Sequence, residues 1–366
     1  MKKIILCLFL FSTAISFSQN EIKKLYNFDA NYFYGNVVEH NPDLAHLITG
    51  HPTGVILGFN QKTFGFKNWE RRYNYPDLGL SFIYQDMGNP HLGENYGLYA
   101  HLNFYFLKRN LMLRMGSGLA YATNPYHPDD NYFNKAYGSH ILISPFIMAN
   151  YKKENIFKGF GIQGGISLIH YSNADFKSPN NSTNTFAFNF GLNYMMNQEN
   201  LPEFIPKEKG EKYTEPVHFN FALRGGVNSM GIIGSKQAPF LTVSAIADKA
   251  VSRKSTLQAG AELFLSKALE EHIYYQSVAF PEGETTGDED SKRVGIFIGH
   301  QLTFNKLSLI TQLGYYVYFP YEHYVERLYN RIGFQYEISK NLWGSVTIRS
   351  HYANAEAVEF SIGYRL

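Results

Sequence analysis

Between Asn95 and Phe106 the chain alternates with a strict period of two. Tyr96, Leu98, Ala100, Leu102, Phe104 and Phe106 share one face; Asn95, Gly97, Tyr99, His101, Asn103 and Tyr105 share the other. Alternation of this kind marks a strand, because successive side chains leave a pleated backbone on opposite sides. One face suits an apolar surrounding, the other a wet or hydrogen-bonded interior. The C-terminal run behaves alike, with Val358, Phe360, Ile362, Tyr364 and Leu366 set against Glu359, Ser361, Gly363 and Arg365. The same pattern predicts eight strands near 27–39, 53–63, 78–87, 95–107, 111–123, 138–151, 159–172 and 183–196. Eight more are predicted near 215–228, 240–249, 255–268, 292–304, 307–319, 326–338, 342–352 and 356–366. Short turns at 107–110 ("LKRN"), 151–155 ("YKKEN") and 339–341 ("SKN") alternate with long polar loops at 124–139, 172–183 and 269–291. An even number of strands with short turns at one end and long loops at the other fits an antiparallel β-barrel of the membrane-spanning type.

Composition sharpens this picture. Tyr (28), Phe (30) and Gly (31) are abundant, while the mean hydropathy is only −0.26. After the N-terminus no stretch holds the roughly eighteen or more apolar residues of a spanning helix, which excludes membrane helices. A secreted β-sandwich is the alternative, and the number and length of the strands favour a transmembrane barrel. Residues 1–18 read as a secretory signal: Lys2 and Lys3, an apolar run from Ile4 to Phe17, and small Ser16 and Ser18 before Gln19. The single cysteine, Cys7, falls inside that run, so no disulfide framework is expected after cleavage. The formal net charge is only +2 before Lys2 and Lys3 are removed, and no basic stripe suggests nucleic acid.

The Pro-bearing, charged segment 197–214 reads as a linker between a unit at 19–196 and another at 215–366. The units echo one another: "HYSNA" at 170–174 recurs as "HYANA" at 351–355. This duplication predicts either two eight-stranded barrels in tandem or one sixteen-stranded barrel. The first would be filled by side chains and the second would leave a channel. The linker favours two.

Candidate chemistry lies at the hairpin 159–196. On strand parity Ile162, Ile166, Leu168, His170 and Ser172 share a face, as do Asn184, Phe186, Phe188, Phe190 and Leu192 on the next strand. His170, Ser172 and Asn184 are therefore expected to point outward near the end of the strands, where unpaired polar groups are expensive. If the N-terminus is periplasmic, that end lies in the outer leaflet. A serine beside a histidine with a third polar group to orient it is the minimum for acyl transfer, and a lipid ester is the natural substrate.

"HYSNADFKSPN" (170–180) resembles the His-x-Ser-Asn-Ala signature, followed by Pro-Asn, of outer-membrane lipid A 3-O-deacylases in the acyloxyacyl hydrolase group. "GHPTG" (50–54), "NYPDLGLSF" (74–82) and "NFYFLKRN" (103–110) resemble longer members of that group. The resemblance implies Ser172 as nucleophile, His170 as general base and acid, and Asn173 as a contributor to the oxyanion site. It places the histidine-orienting group, a Glu in members studied as deacylases, at Asn184. That departure weakens imidazolium stabilisation, although an amide oxygen can still orient a histidine. Asp175 is a fallback whose parity aims it the other way.

The implied function is an outer-membrane serine esterase that removes an ester-linked 3-hydroxyacyl chain from lipid A. It needs no metal and no organic cofactor. Expected partners are lipopolysaccharide and outer-membrane lipid, with a homodimer left open. Alternatives of other classes are a non-catalytic barrel, acting as a pore or structural element with a decayed site, and a lipid-binding scaffold. Ala353 stands where Ser172 stands in the first copy, and His351 should face inward, so the second unit is expected to be catalytically silent. Pro179 and Asn180 are read as shaping the loop, Lys177 and the acidic run 282–290 as solvated, and Trp69 as part of an interfacial girdle. No zinc spacing or phosphate loop is present in the sequence.

Overall fold

The structure, a computed structural model, describes residues 24–196, 201–207 and 212–366. The expected signal at 1–18 and parts of the expected linker lie outside the described residues. The first unit holds β1 (Tyr26–Val37), β2 (Thr53–Gln61), β3 (Asp77–Asp86), β4 (Glu94–Phe106), β5 (Leu111–Ala122), β6 (Ile141–Phe157), β7 (Phe160–Tyr171) and β8 (Thr183–Met195). The second holds β9 (His218–Asn228), β10 (Ala238–Ala250), β11 (Ser255–Ser266), β12 (Arg293–Phe304), β13 (Leu307–Tyr318), β14 (Leu328–Glu337), β15 (Leu342–His351) and β16 (Asn354–Arg365). Each unit is a closed antiparallel barrel of eight strands. The closing seams decide between the two architectures left open above. β1 pairs with β8, Ala30 opposite Leu192, and β9 pairs with β16, Leu223 opposite Ile362. A sixteen-stranded ring would need β8 to pair with β9 instead.

The alternation does the packing work in both units. On β8, Phe188 and Phe190 are 69% and 64% exposed on the outside, while Thr185, Ala187 and Asn189 are buried within. An eight-stranded lumen is just wide enough for side chains to fill. At the centre of the first barrel, the Arg114 guanidinium donates to both carboxylate oxygens of Asp29 and to Asn60 and Asn103. In the second, Arg331 bridges Glu262 and Glu359, and Arg293 and Arg349 both hold Glu356. Charges this deep persist only when paired and hydrogen-bonded.

Three expectations need correction. The region 269–291 is not all loop, because α2 (Lys267–Ala279) opens it, with the Ser266 hydroxyl accepting from Leu269 N at its start. The turn expected at 151–155 lies inside β6; Lys152 points inward and pairs with Glu154, and the chain turns at 158–159. Trp69 is no girdle residue, since it is buried in a short helix, α1 (Asn68–Arg72), within the loop after β2.

The barrels stand side by side and touch at both ends. At the end carrying the short turns, the Tyr73 and Phe304 rings lie 4.4 Å apart and Tyr73 Oη donates to Thr303 O. At the other end, Ser229 N donates to Asp175 O, the Ser178 and Ser229 hydroxyls share a hydrogen bond of 2.7 Å, and Gln237 Nε2 donates to Phe176 O.

Candidate active site

Strand register brings His170 and Asn184 together. They are opposite partners across the β7–β8 hairpin, both on the outward register, and both half-buried. His170 Nδ1 lies 2.8 Å from Asn184 Oδ1. That contact assigns the ring proton to Nδ1, since an amide oxygen can only accept, and leaves Nε2 as the basic nitrogen. The Asn184 amide nitrogen faces His40 Nδ1 at 3.4 Å, and His40 Nε2 is held near Asn181 O and Ser182 Oγ. The sequence offered no sign of His40, because only the β1–β8 seam brings it to the hairpin.

Ser172 follows the last residue of β7 and is tied back to the sheet by a two-way backbone bridge with Ile143. The chain then turns sharply through Ala174 and Asp175, whose φ angles of 51° and 61° are left-handed. Non-glycine residues occupy that region only when neighbours hold them there. Ala174 N donates to Ser172 Oγ at 2.8 Å, and Ser229 fixes Asp175 from the second barrel.

The Ser172 hydroxyl donates to Asn180 Oδ1 at 3.0 Å, and no hydrogen bond joins it to His170 in this arrangement. Asn173 N donates to the same Asn180 oxygen at 2.9 Å, and the Asn173 amide nitrogen donates to Lys177 O. Asn173 is buried, and its donors are spent on the loop. Asn180, read from sequence as a loop former, thus sits on both the hydroxyl and the backbone N–H beside it.

These residues open onto a half-enclosed cleft of about 1330 Å³ between the barrels. His170, Ser172, Ile143 and Pro145 line one side, and residues of the second barrel line the other. Asp175 does not reach the imidazole; its Oδ1 accepts from Ser229 Oγ at 3.5 Å. Burial pushes its carboxyl up to about 8, helped by the negative charge of Glu356 and opposed by the Ser229 hydrogen bond. Among the described residues no cluster of three or more His, Cys, Asp or Glu is arranged to hold a metal ion.

His351 lies inside the second barrel, 3% exposed, with Nε2 3.1 Å from Tyr316 Oη. Two charge-bearing loops noted from sequence, at Lys177 and in the 282–290 run, stay at the surface.

Residues 53–193 match the family described as lipid A 3-O-deacylase (PagL). Residues 217–366 match the family described as acyloxyacyl hydrolase, C-terminal domain. No curated protein matches the chain. Among solved structures it is similar to a triple mutant of the Rhodopseudomonas blastica porin, at 8% identity and TM-score 0.20, covering 93% of this chain and 99% of that one. A second mutant of the same porin gives 9% identity and TM-score 0.19 over the same shares. Similarity at that level carries no weight for fold or function.

Proposed function

The chain belongs to the PagL-type family of lipid A 3-O-deacylases, and we propose that it is an outer-membrane esterase that removes a 3-hydroxyacyl chain from lipid A through Ser172 and His170. The observation that carries this reading is the hydrogen bond from His170 to Asn184. It turns the basic Nε2 of a half-buried imidazole toward the cleft on which Ser172 also opens.

In the first step, Ser172 Oγ attacks the ester carbonyl while its proton passes to His170 Nε2. The incoming carbonyl oxygen displaces the Asn180 amide oxygen, which frees Asn173 N–H to meet the developing negative charge. Collapse expels the sugar hydroxyl, which takes the proton from His170 and leaves an acyl-Ser172 ester. Water, deprotonated by His170, then releases the fatty acid and restores the serine. Asn184 holds the imidazole in the reactive tautomer throughout. The apolar outward faces beside the site fit an outer leaflet of lipid.

Ser172→Ala or His170→Ala should abolish deacylation while the barrel still inserts. Mass spectra of lipid A from cells making each variant read this directly, and unchanged deacylation in Ser172→Ala would rule the mechanism out. A second reading, a lipid-binding barrel whose site has decayed, draws on Asn184 standing where a carboxylate is expected. It predicts that wild-type chain binds lipid A and returns it intact.

A further inference from the structure

The chemistry described above uses residues of the first barrel alone, yet the site opens into a half-enclosed cleft. It faces another wall. Opposite Ile143 and Pro145 stand Ile332 of β14 and Ile348 of β15. These two isoleucines are direct cross-strand partners on the outward register, and Ile332 is 48% exposed. The depths agree. Pro145 lies four residues into β6 and Ile332 four residues into β14, each roughly 13 Å along its strand from the loop end. Ile348 lies three residues from the end of β15. The cleft is thus apolar on both sides just beneath Ser172. Toward the loops it turns polar: Tyr324, Glu326 and Lys135 line it there. Its width is fixed, because Ser178, Ser229 and Asp175 clamp the barrels at one end and Tyr73 and Phe304 at the other.

We propose that the second barrel is half of the substrate site: Ile332 and Ile348 form the far wall of a groove that receives the acyl chain to be cleaved. This rests on the lipid-esterase reading of the preceding subsection. The occupant follows from continuity with Ser172. An ester carbonyl at the serine has its sugar side toward the polar mouth and its hydrocarbon toward the isoleucines. On a lone barrel, that hydrocarbon would meet only bulk lipid on this side, whereas a walled groove holds the reacting ester in line with the nucleophile. The catalytically silent copy then acts through its outer surface.

The test uses the full chain in vesicles of phospholipid and lipid A whose 3-O-acyl chain carries a mid-chain diazirine. Ser172→Ala is used so that the ester survives irradiation. Labelled peptides should include Ile332 and Ile348 along with Ile143 and Pro145. Label confined to the first barrel overturns the proposal. In parallel, Ile348→Trp in the otherwise wild-type chain should lower lipid A deacylation about tenfold by filling the groove, with the barrels still folded by heat-modifiable mobility. An unchanged rate counts against the groove. Failure of the esterase reading shows elsewhere, as deacylation that survives Ser172→Ala.

Discussion

The two copies of the His-Tyr-x-Asn-Ala pattern end in opposite surroundings. In the first, His170 lies on the outward register, meets Asn184 across a hairpin and opens onto the cleft. In the second, His351 is buried inside its barrel against Tyr316, at the lumen mouth that the same cleft reaches. Two local differences account for this. On β15, His351 shares the inward face with Thr347 and Arg349 by plain alternation, whereas on β7 His170 shares the outward face with Ile166 and Leu168. The loop that carries Ser172, Asn173 and Asn180 in the first copy is reduced in the second to a tight turn at 352–353, with Ala353 in the place of the serine. A shared pentapeptide therefore fixes neither the face nor the company of its histidine; register and turn length do. The interiors differ as well. The first barrel buries many asparagines around the Arg114–Asp29 pair, with Lys62 and Lys152 held on Glu154 nearer the short turns, while the second buries four arginines against Glu262, Glu356 and Glu359.

The largest contrast to test is catalytic. In a Ser172→Ala background, Ala353→Ser should restore no deacylation by lipid A mass spectrometry, because the neighbouring histidine is inside the lumen. Next comes the interior. Arg331→Met leaves Glu262 with Arg224 and Glu359 with Arg349 as their remaining charged partners and should lower stability by about 3–5 kcal/mol, read from urea unfolding in vesicles. Asn150→Leu in the first barrel removes only a neutral partner from Asn189 and should lower it by about 1–3 kcal/mol. Equal losses would erase the distinction between an ionic and an amide interior. At the site, Asn184→Ala should slow deacylation about a hundredfold by freeing the imidazole. Asn184→Glu should speed it by about tenfold, since a carboxylate supports imidazolium better than an amide does. Initial rates on purified lipid A decide both.

The smallest effect concerns the contact between the barrels. The docked Asp175 carboxyl holds its proton up to about 8 instead of the usual 3.8, so the folded contact favours the protonated acid. Its stabilisation is complete below the ordinary value and is lost as pH rises through about 8. Hydrogen exchange of the 172–182 loop should quicken over that window, and Asp175→Asn should flatten the response.

Sixteen strands could be read from period-two alternation because each strand carries its own inside and outside, as at Asn95–Phe106. The meeting of His170 with Asn184 could be read too, since a hairpin fixes that register locally. Barrel closure could not: the β1–β8 seam joins residues far apart in sequence, and the alternation is the same in either architecture. Nor could the hold of Asn180 on Ser172, which depends on how the 172–182 loop folds back, or the helix at 267–279, whose mixed polar surface hides its period. Lys152 shows the converse error, a charged residue taken for turn chemistry that is buried against Glu154.

The filled lumens have an electrical consequence. With Arg114, Tyr99 and Tyr105 wholly enclosed in one barrel and Arg331, Arg349 and Tyr329 in the other, neither offers ions a continuous aqueous path. The chain added to a planar bilayer should pass no single-channel current, and cells making it in quantity should keep their permeability barrier to small solutes intact.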